Sequence, residues 1–84
     1  MTTVPVTLYG RAACPPCART KKLLEQGGVD FLYVDVDNEP AALEGLTELD
    51  WVTALPVVVT PDQQWCGYRP ENIRSTITTH ASSG

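Results

Sequence analysis

Hydrophobic and polar positions follow two different periods along the first half of this chain. A β-branched and apolar run from Val4 to Tyr9 predicts a first strand, and the run from Phe31 to Val36 predicts a second. Between them, residues 15–26 predict a helix, because prolines are tolerated in a first helical turn and Gly27-Gly28 supplies a stop. The residues at helical spacing that define its buried face are Cys17, Thr20 and Leu24, with Leu23 widening it.

A second helix is expected after the second strand. Asn38 is placed to cap it, Pro40 falls in its first turn, and leucines recur near one face as far as Leu49. A strand, a helix and a second strand at this spacing usually form a parallel pair with a right-handed crossover.

The last third of the chain predicts a hairpin and a helix. Residues 56–60 and 64–68 are short β-prone runs separated by a turn-forming Pro-Asp-Gln, which favours antiparallel pairing. The final helix begins at Pro70, with Ile73 and Ile77 on its buried side. The order β-α-β-α-β-β-α predicts an α/β fold with a four-stranded mixed sheet and three helices, the smallest thioredoxin-like arrangement.

Length and composition indicate one folded domain. With 84 residues, 43% hydrophobic and 19% charged, we expect a domain over residues 1–77 and a flexible polar tail over residues 78–84. The net charge of −4 argues against nucleic acid and anionic membranes as partners. Because the sequence contains neither a secretory signal pattern nor a long apolar run, we expect a cytoplasmic protein. Nothing in the sequence suggests an exposed apolar interface, so we expect a monomer.

Two of the three cysteines stand in the run Cys14-Pro15-Pro16-Cys17. On a helix, residues three apart face the same side, so Cys14 at the helix start and Cys17 one turn on can close a reversible disulfide. The helix start favours a thiolate at Cys14, which makes it the nucleophile, whereas Cys17 on the buried face is expected to resolve the mixed disulfide.

The two prolines within this run modify that expectation. They have no N–H, so only the amide of Cys17 remains to donate to the sulfur of Cys14, which predicts a comparatively reducing couple. A structural zinc site is the main alternative for such spacing, but only Cys66 and His80 are available to complete the four ligands that zinc prefers. A C-x-x-C run beside a strand–helix–strand pattern favours redox chemistry.

Three stretches resemble the glutaredoxin-like branch of the thioredoxin superfamily, and within it the NrdH-redoxin family. They are Leu8-Tyr9 leading to Cys14-x-x-Cys17, residues 54–58, and residues 65–70. The resemblance implies that the bond before Pro56 is cis and that the backbone of Leu55 lies beside Cys14, where it pairs with a substrate. The position of Pro56 alone leaves cis and trans both open.

The stretch from Trp65 to Pro70 discriminates within that superfamily. NrdH-redoxins usually have Trp-Ser-Gly-Phe-Arg-Pro here, whereas glutathione-using glutaredoxins have a Gly-Gly pair followed by an acidic residue. The resemblance implies that this segment contributes to substrate binding and disfavours glutathione. The implied substrate-binding residues are Leu55, Pro56, Trp65, Gly67, Tyr68 and Arg69.

The chain departs from the NrdH-redoxin pattern at two positions of this stretch, with Cys66 in place of Ser and Tyr68 in place of Phe. Cys66 is interpreted either as a small buried packing residue or as a third redox-active cysteine. Trp51 and Trp65 are interpreted as packing residues. Basic residues surround the dithiol, as a solvated surface or as a docking surface for an acidic partner: Arg11, Arg19, Lys21 and Lys22.

The expected function is therefore thiol–disulfide exchange, in which Cys14 attacks a protein disulfide and Cys17 resolves it. The resemblance implies that the partners are the large subunit of ribonucleotide reductase and an NADPH-dependent thioredoxin reductase, with no cofactor and no metal. Two alternatives remain open at this point. One is a glutathione-dependent glutaredoxin, and the other is an iron–sulfur or metal carrier with Cys14 as a ligand.

Overall fold

The computed structural model describes residues 5–81 of the chain. The elements are β1 (Val6–Gly10), α1 (Pro15–Gln26), β2 (Phe31–Asp35), α2 (Pro40–Thr47), β3 (Val57–Val59), β4 (Gln64–Cys66) and α3 (Pro70–His80). The sheet has the strand order β2-β1-β3-β4, in which β1 is parallel to β2 and antiparallel to β3, and β3 is antiparallel to β4. The predicted fold is confirmed, including the hairpin and the bounds of α1.

The core lies on both faces of the sheet. Alternation along β1 turns Val6 and Leu8 toward one face, where they pack with Leu24 of α1, Ile73 of α3 and Trp65. On the other face a smaller cluster joins the sheet to α2: Val36, Leu46 and Val57. The predicted buried face of α1 is confirmed, since Cys17, Thr20 and Leu24 are buried.

The second helix begins differently from the prediction. Asn38 does not cap α2; its side-chain amide donates to Oδ2 of Asp35 (3.3 Å), and Glu39 occupies the cap position without a side-chain hydrogen bond. Asp35 also accepts from the backbone N–H of Asp37 (3.0 Å), so a local turn competes successfully for these side chains. The helix ends at Thr47, and Leu49 beyond it is exposed.

The two ends of the chain also differ in extent from the prediction. Val4, the expected start of the first strand, lies outside the described residues, and β1 continues to Gly10. The last helix runs through His80, so it includes the first three residues of the expected tail. His80 Nε2 lies 3.3 Å from Oδ1 of Asp62 in the β3–β4 turn.

Within residues 5–81, no helix is long and apolar enough to cross a membrane.

Candidate active site

The dithiol lies where β1 has ended and α1 begins. Cys14 is the N-cap residue of α1, Pro15 and Pro16 fill the first two helical positions, and Cys17 is the third. Cys14 and Cys17 form a disulfide with their Cα atoms 5.2 Å apart. The backbone N–H of Cys17 donates to Sγ of Cys14 over 3.4 Å, as the missing N–H groups of the prolines predict. Helix capping by the sulfur therefore depends on this one amide.

The two sulfurs differ in access. Cys17 is 1% exposed, whereas Cys14 is partly exposed at the helix start. A partner disulfide can reach Cys14 from the solvent, whereas buried Cys17 is placed to attack Sγ of Cys14 once a mixed disulfide has formed there. This asymmetry supports the predicted order of nucleophile and resolving thiol.

Gly10, the last residue of β1, makes room for Cys17. A Cβ atom at Gly10 would lie 3.1 Å from Cβ of Cys17, 3.2 Å from its Sγ and 3.2 Å from the hydroxyl of Tyr33. The Tyr33 hydroxyl of β2 therefore lies close to the resolving cysteine. Burial, with Asp35 and Asp37 nearby, raises the pKa of Tyr33 above its ordinary value. Sequence reasoning missed both Gly10 and Tyr33, because no local pattern links β1, β2 and α1 at this point.

An apolar groove of about 510 Å³ opens beside Cys14. On one side it is bounded by α2 and on the other by the segment that leads to β3, where the Leu55–Pro56 peptide bond is cis. Its lining includes Ala13, Cys14, Pro15, Leu43, Leu46, Val52, Ala54 and Leu55. The structure thus places Leu55 in the same groove as Cys14, and the cis bond implied by the resemblance is confirmed.

The segment after β4 returns to the helix start on the other side of the dithiol. The N–H of Gly67, which has a φ of +82°, donates to the carbonyl of Pro56 over 2.7 Å. The next residue, Tyr68, lies under the guanidinium of Arg19, whose Cζ atom is 5.5 Å from the ring centroid. Pro15, Pro16, Arg19 and Tyr68 line a hollow of about 260 Å³, which we call the Tyr68 hollow.

Three other residues predicted to bind substrate line neither the apolar groove nor the Tyr68 hollow: Pro56, Trp65 and Arg69. Trp65 is 4% exposed and packs in the core, so it can act on a substrate only by holding this segment in place. Arg69 is exposed, and its Nε donates to the carbonyl of Cys66 over 3.2 Å. Pro56 is buried and presents its backbone to Gly67.

Cys66 is half-buried and not paired with another cysteine, and it packs against the smaller core cluster, so it is a packing residue that is less buried than expected. Its thiol donates to the carbonyl of Trp51 (3.2 Å) and lies 3.6 Å from Oγ1 of Thr53. A hydrogen bond from the backbone of Thr53 lowers the pKa of Cys66, burial opposes this, and the nearby Arg69 contributes in the same direction as Thr53. Cys66 thus ties β4 to the loop before β3.

The ligands considered for zinc do not converge. Among residues 5–81, no group of three or more His, Cys, Asp and Glu side chains is placed to hold a metal ion. His80 is instead held against Asp62 at the far end of α3.

A β-α-β unit that presents a disulfide on the first turn of its helix, opposite a cis-proline segment, defines a thiol–disulfide oxidoreductase of the thioredoxin-like fold. Residues 6–65 match the sequence profile of the glutaredoxin family, and the chain belongs to that family.

Its relatives include NrdH-redoxins. The chain is 39% identical to the glutaredoxin-like protein NrdH of Escherichia coli (strain K12) over 79 residues, which cover 93% of this chain and 96% of the relative. The solved NrdH-redoxin from Escherichia coli superposes with a TM-score of 0.78 at 38% identity, covering 83% of this chain and 91% of the other. The Gene 56 protein of Mycobacterium phage L5 is 36% identical, with 94% of this chain and 78% of that protein covered. The resemblance to NrdH-redoxins is confirmed.

Proposed function

We propose that this protein reduces protein disulfides, that its client is the large subunit of a ribonucleotide reductase, and that an NADPH-dependent thioredoxin reductase recharges it in the cytoplasm. The observation that carries the proposal is the surface on the two sides of Cys14. One side is an apolar groove that fits a polypeptide, and the other carries the bulky Tyr68 with Arg19 over its ring. The solved NrdH-redoxin from Escherichia coli is described as having a thioredoxin-like activity profile, which supports the proposal that this protein reduces protein disulfides.

The chemistry follows from the positions of the two sulfurs. The Cys14 thiolate attacks one sulfur of the client disulfide and forms a mixed disulfide with it. The other client sulfur leaves as a thiolate and takes up a proton. Cys17 then loses its proton and attacks Sγ of Cys14, so the client sulfur bound to Cys14 leaves as a thiolate and takes up a proton in turn. The client is reduced by two electrons, and the Cys14–Cys17 disulfide is the oxidised product.

The groove provides the means to hold a client during these steps. An extended segment that crosses Cys14 lies against Leu55, whose backbone precedes the cis bond and is available for main-chain pairing. Apolar side chains of the segment are accommodated by the wall that α2 contributes, including Leu43 and Leu46. Binding by main chain and apolar contacts suits a protein client better than a tripeptide.

A coupled insulin-reduction assay tests the recycling system. We expect turnover with NADPH and thioredoxin reductase, and little turnover with glutathione, glutathione reductase and NADPH. Activity with glutathione alone would overturn the proposal and assign the protein to the glutathione-dependent glutaredoxins, which the family membership makes the relevant alternative. A brown protein after anaerobic purification would instead indicate an iron–sulfur carrier.

A trapping experiment tests the client. The Cys17→Ser variant retains the attacking sulfur of Cys14 but cannot resolve, so it should accumulate a mixed disulfide with the oxidised large subunit of ribonucleotide reductase. Cys14→Ser is the matched control and should trap nothing. If Cys17→Ser traps insulin but not the reductase subunit, the oxidoreductase stands and the proposed client is wrong.

A further inference from the structure

The charges of this chain are segregated around the dithiol. Four of the six basic residues fall between residues 11 and 22, and the first acidic residue of the chain is Glu25. The remaining chain therefore carries ten acidic residues against two basic ones. A protein with a net charge of −4 thus concentrates most of its basic residues close in sequence to the dithiol that a partner disulfide must approach.

Arg19 is the basic residue of this group that is best placed to contact a partner. Arg11 is engaged with Asp37, with 3.3 Å between Nη2 and Oδ1, and Lys21 lies over the ring of Tyr33, 4.7 Å from its centroid. Arg19 is exposed, and among the residues that the structure describes no carboxylate lies within 4.0 Å of it. Its Cζ atom lies over the ring of Tyr68, and among the described residues its guanidinium N–H groups make no hydrogen bond, so they are available to a ligand.

The Tyr68 hollow adjoins the apolar groove. Pro15 lines both depressions, so a segment that follows the groove across Cys14 passes over Pro15 and reaches Arg19. The ring of Tyr68 restricts the guanidinium to one side of the hollow, which lowers the conformational entropy that is lost when a ligand is bound. A planar guanidinium with free in-plane donors matches a carboxylate in a two-bond arrangement.

We propose that the Tyr68 hollow binds the carboxylate of an Asp or Glu side chain in the client polypeptide, a few residues from the client disulfide. This inference rests on the proposed function, because it concerns how the same protein clients are selected. Glutathione also carries carboxylates, so the shared chemistry is an anionic carboxyl group, and the experiment separates the two sources. We assign the site to a protein side chain because the apolar groove beside it accommodates a longer chain.

The test uses two synthetic peptides with the same intramolecular disulfide, one with Glu two residues after the second cysteine and one with Gln there. Their reduction by the full-length protein is followed with NADPH and thioredoxin reductase, at low and at high salt. We expect a kcat/KM about threefold higher for the Glu peptide at low salt, and no preference at high salt, as for an exposed ion pair.

Arg19→Gln should abolish the preference. The matched control is Lys22→Gln, which removes the same charge from an exposed position of the same helix and should retain the preference. Tyr68→Leu keeps the charge but removes the ring, and we expect it to weaken the preference through KM rather than kcat.

The outcomes separate this inference from the proposed function. If both peptides are reduced equally by the unaltered protein, or if Arg19→Gln keeps the preference, the carboxylate site is wrong while the function stands. If neither peptide nor insulin is reduced, both fail. If Arg19→Gln changes only the reduction of glutathione disulfide, the site belongs to glutathione and the inference is overturned.

Discussion

The backbone nitrogen of Cys17 lies 3.4 Å from the sulfur of Cys14 and donates to it across the first turn of α1. In most helices an N-cap side chain can accept from the second or the third residue of the first turn. Here the second residue is Pro16, which has no N–H, so the third is the donor that remains. The charge of a thiolate at Cys14 is therefore stabilised by fewer hydrogen bonds than the helix geometry allows.

Pro16→Ala is expected to make the couple more oxidising. The variant adds an N–H at the second helical position, aimed at Cys14, and stabilises the reduced form in which that sulfur carries charge. One added hydrogen bond of about 1.4 kcal/mol corresponds to a potential about 30 mV less negative. Equilibration with a dithiothreitol redox buffer, followed by thiol alkylation and mass measurement, provides the potential.

Pro15→Ala is the matched control for this substitution. It adds an N–H at the first helical position, where an N-cap side chain rarely finds its donor, so we expect a smaller shift. Equal shifts in both variants, or none in Pro16→Ala, would contradict the role assigned to the missing amide.

The sequence predicts the parts of this site that depend on local rules. The bounds of α1 follow from two prolines that tolerate a first turn and a Gly-Gly stop, and with them the facing positions of Cys14 and Cys17. The wrong prediction that Asn38 caps α2 also concerns a local feature. Asn38 can either cap the helix or form a hydrogen bond in the preceding turn, and it donates to the side chain of Asp35 instead of capping.

Other features depend on contacts between distant segments and leave no local signal. The last helix continues through Thr78 and Thr79 to His80, whose ring contacts Asp62, 18 residues away. In the sequence, Gly10 indicates only the end of a strand. Its packing against Cys17 arises only when β1, β2 and α1 come together. Such contacts can be recognised only from the tertiary structure.

Cys66→Ala is expected to loosen the loop that carries Leu55. The substitution removes the donor to the carbonyl of Trp51 and the contact with Thr53, at a cost of about 1 kcal/mol in the free energy of unfolding. We also expect a higher KM for insulin with kcat little changed, because the wall of the groove is less well positioned. Urea denaturation and steady-state kinetics measure the two effects.

Cys66→Ser distinguishes the hydrogen bond from the sulfur chemistry. A hydroxyl retains the donor, so this variant should preserve both stability and KM within error. If Ser behaves like Ala, the hydrogen bond to Trp51 is not what holds the loop.

Lowering the pH is expected to weaken the contact between the β3–β4 turn and α3. A hydrogen bond with His80, assisted by Thr60, lowers the pKa of Asp62 below its ordinary value. A carboxyl group whose pKa is lower in the folded state contributes stability above its unfolded pKa, near 3.9, and loses that contribution as the pH falls through the folded value.

Asp62→Asn isolates this contribution. The difference in unfolding free energy between the unaltered protein and the variant should be constant above about pH 5 and shrink below about pH 4. Asp50→Asn, which removes an exposed carboxyl group between α2 and β3, provides the control for removing one negative charge. A difference that stays constant down to pH 2 would show that Asp62 titrates normally in the folded protein.

Gly10→Ala is expected to destabilise the protein and to impair the resolving step. The new Cβ atom would approach Cys17 to 3.1 Å and the hydroxyl of Tyr33 to 3.2 Å, closer than ordinary van der Waals contact. Overpacking of this kind costs about 1–3 kcal/mol. Urea denaturation measures the loss, and the lifetime of the mixed disulfide with a peptide substrate reports whether the crowded Cys17 attacks more slowly.

Two further variants decide whether crowding is the cause. Tyr33→Phe removes the hydroxyl from the crowded space, so the double variant with Gly10→Ala should be more stable than the sum of the single effects predicts. Gly45→Ala is the opposite case, because a Cβ at that helical position meets no atom within 4 Å, and it should stabilise α2 by about 0.5–1 kcal/mol. If Gly10→Ala behaves like Gly45→Ala, the space beneath Cys17 is larger than the structure shows, and Gly10 is not needed to seat the resolving cysteine.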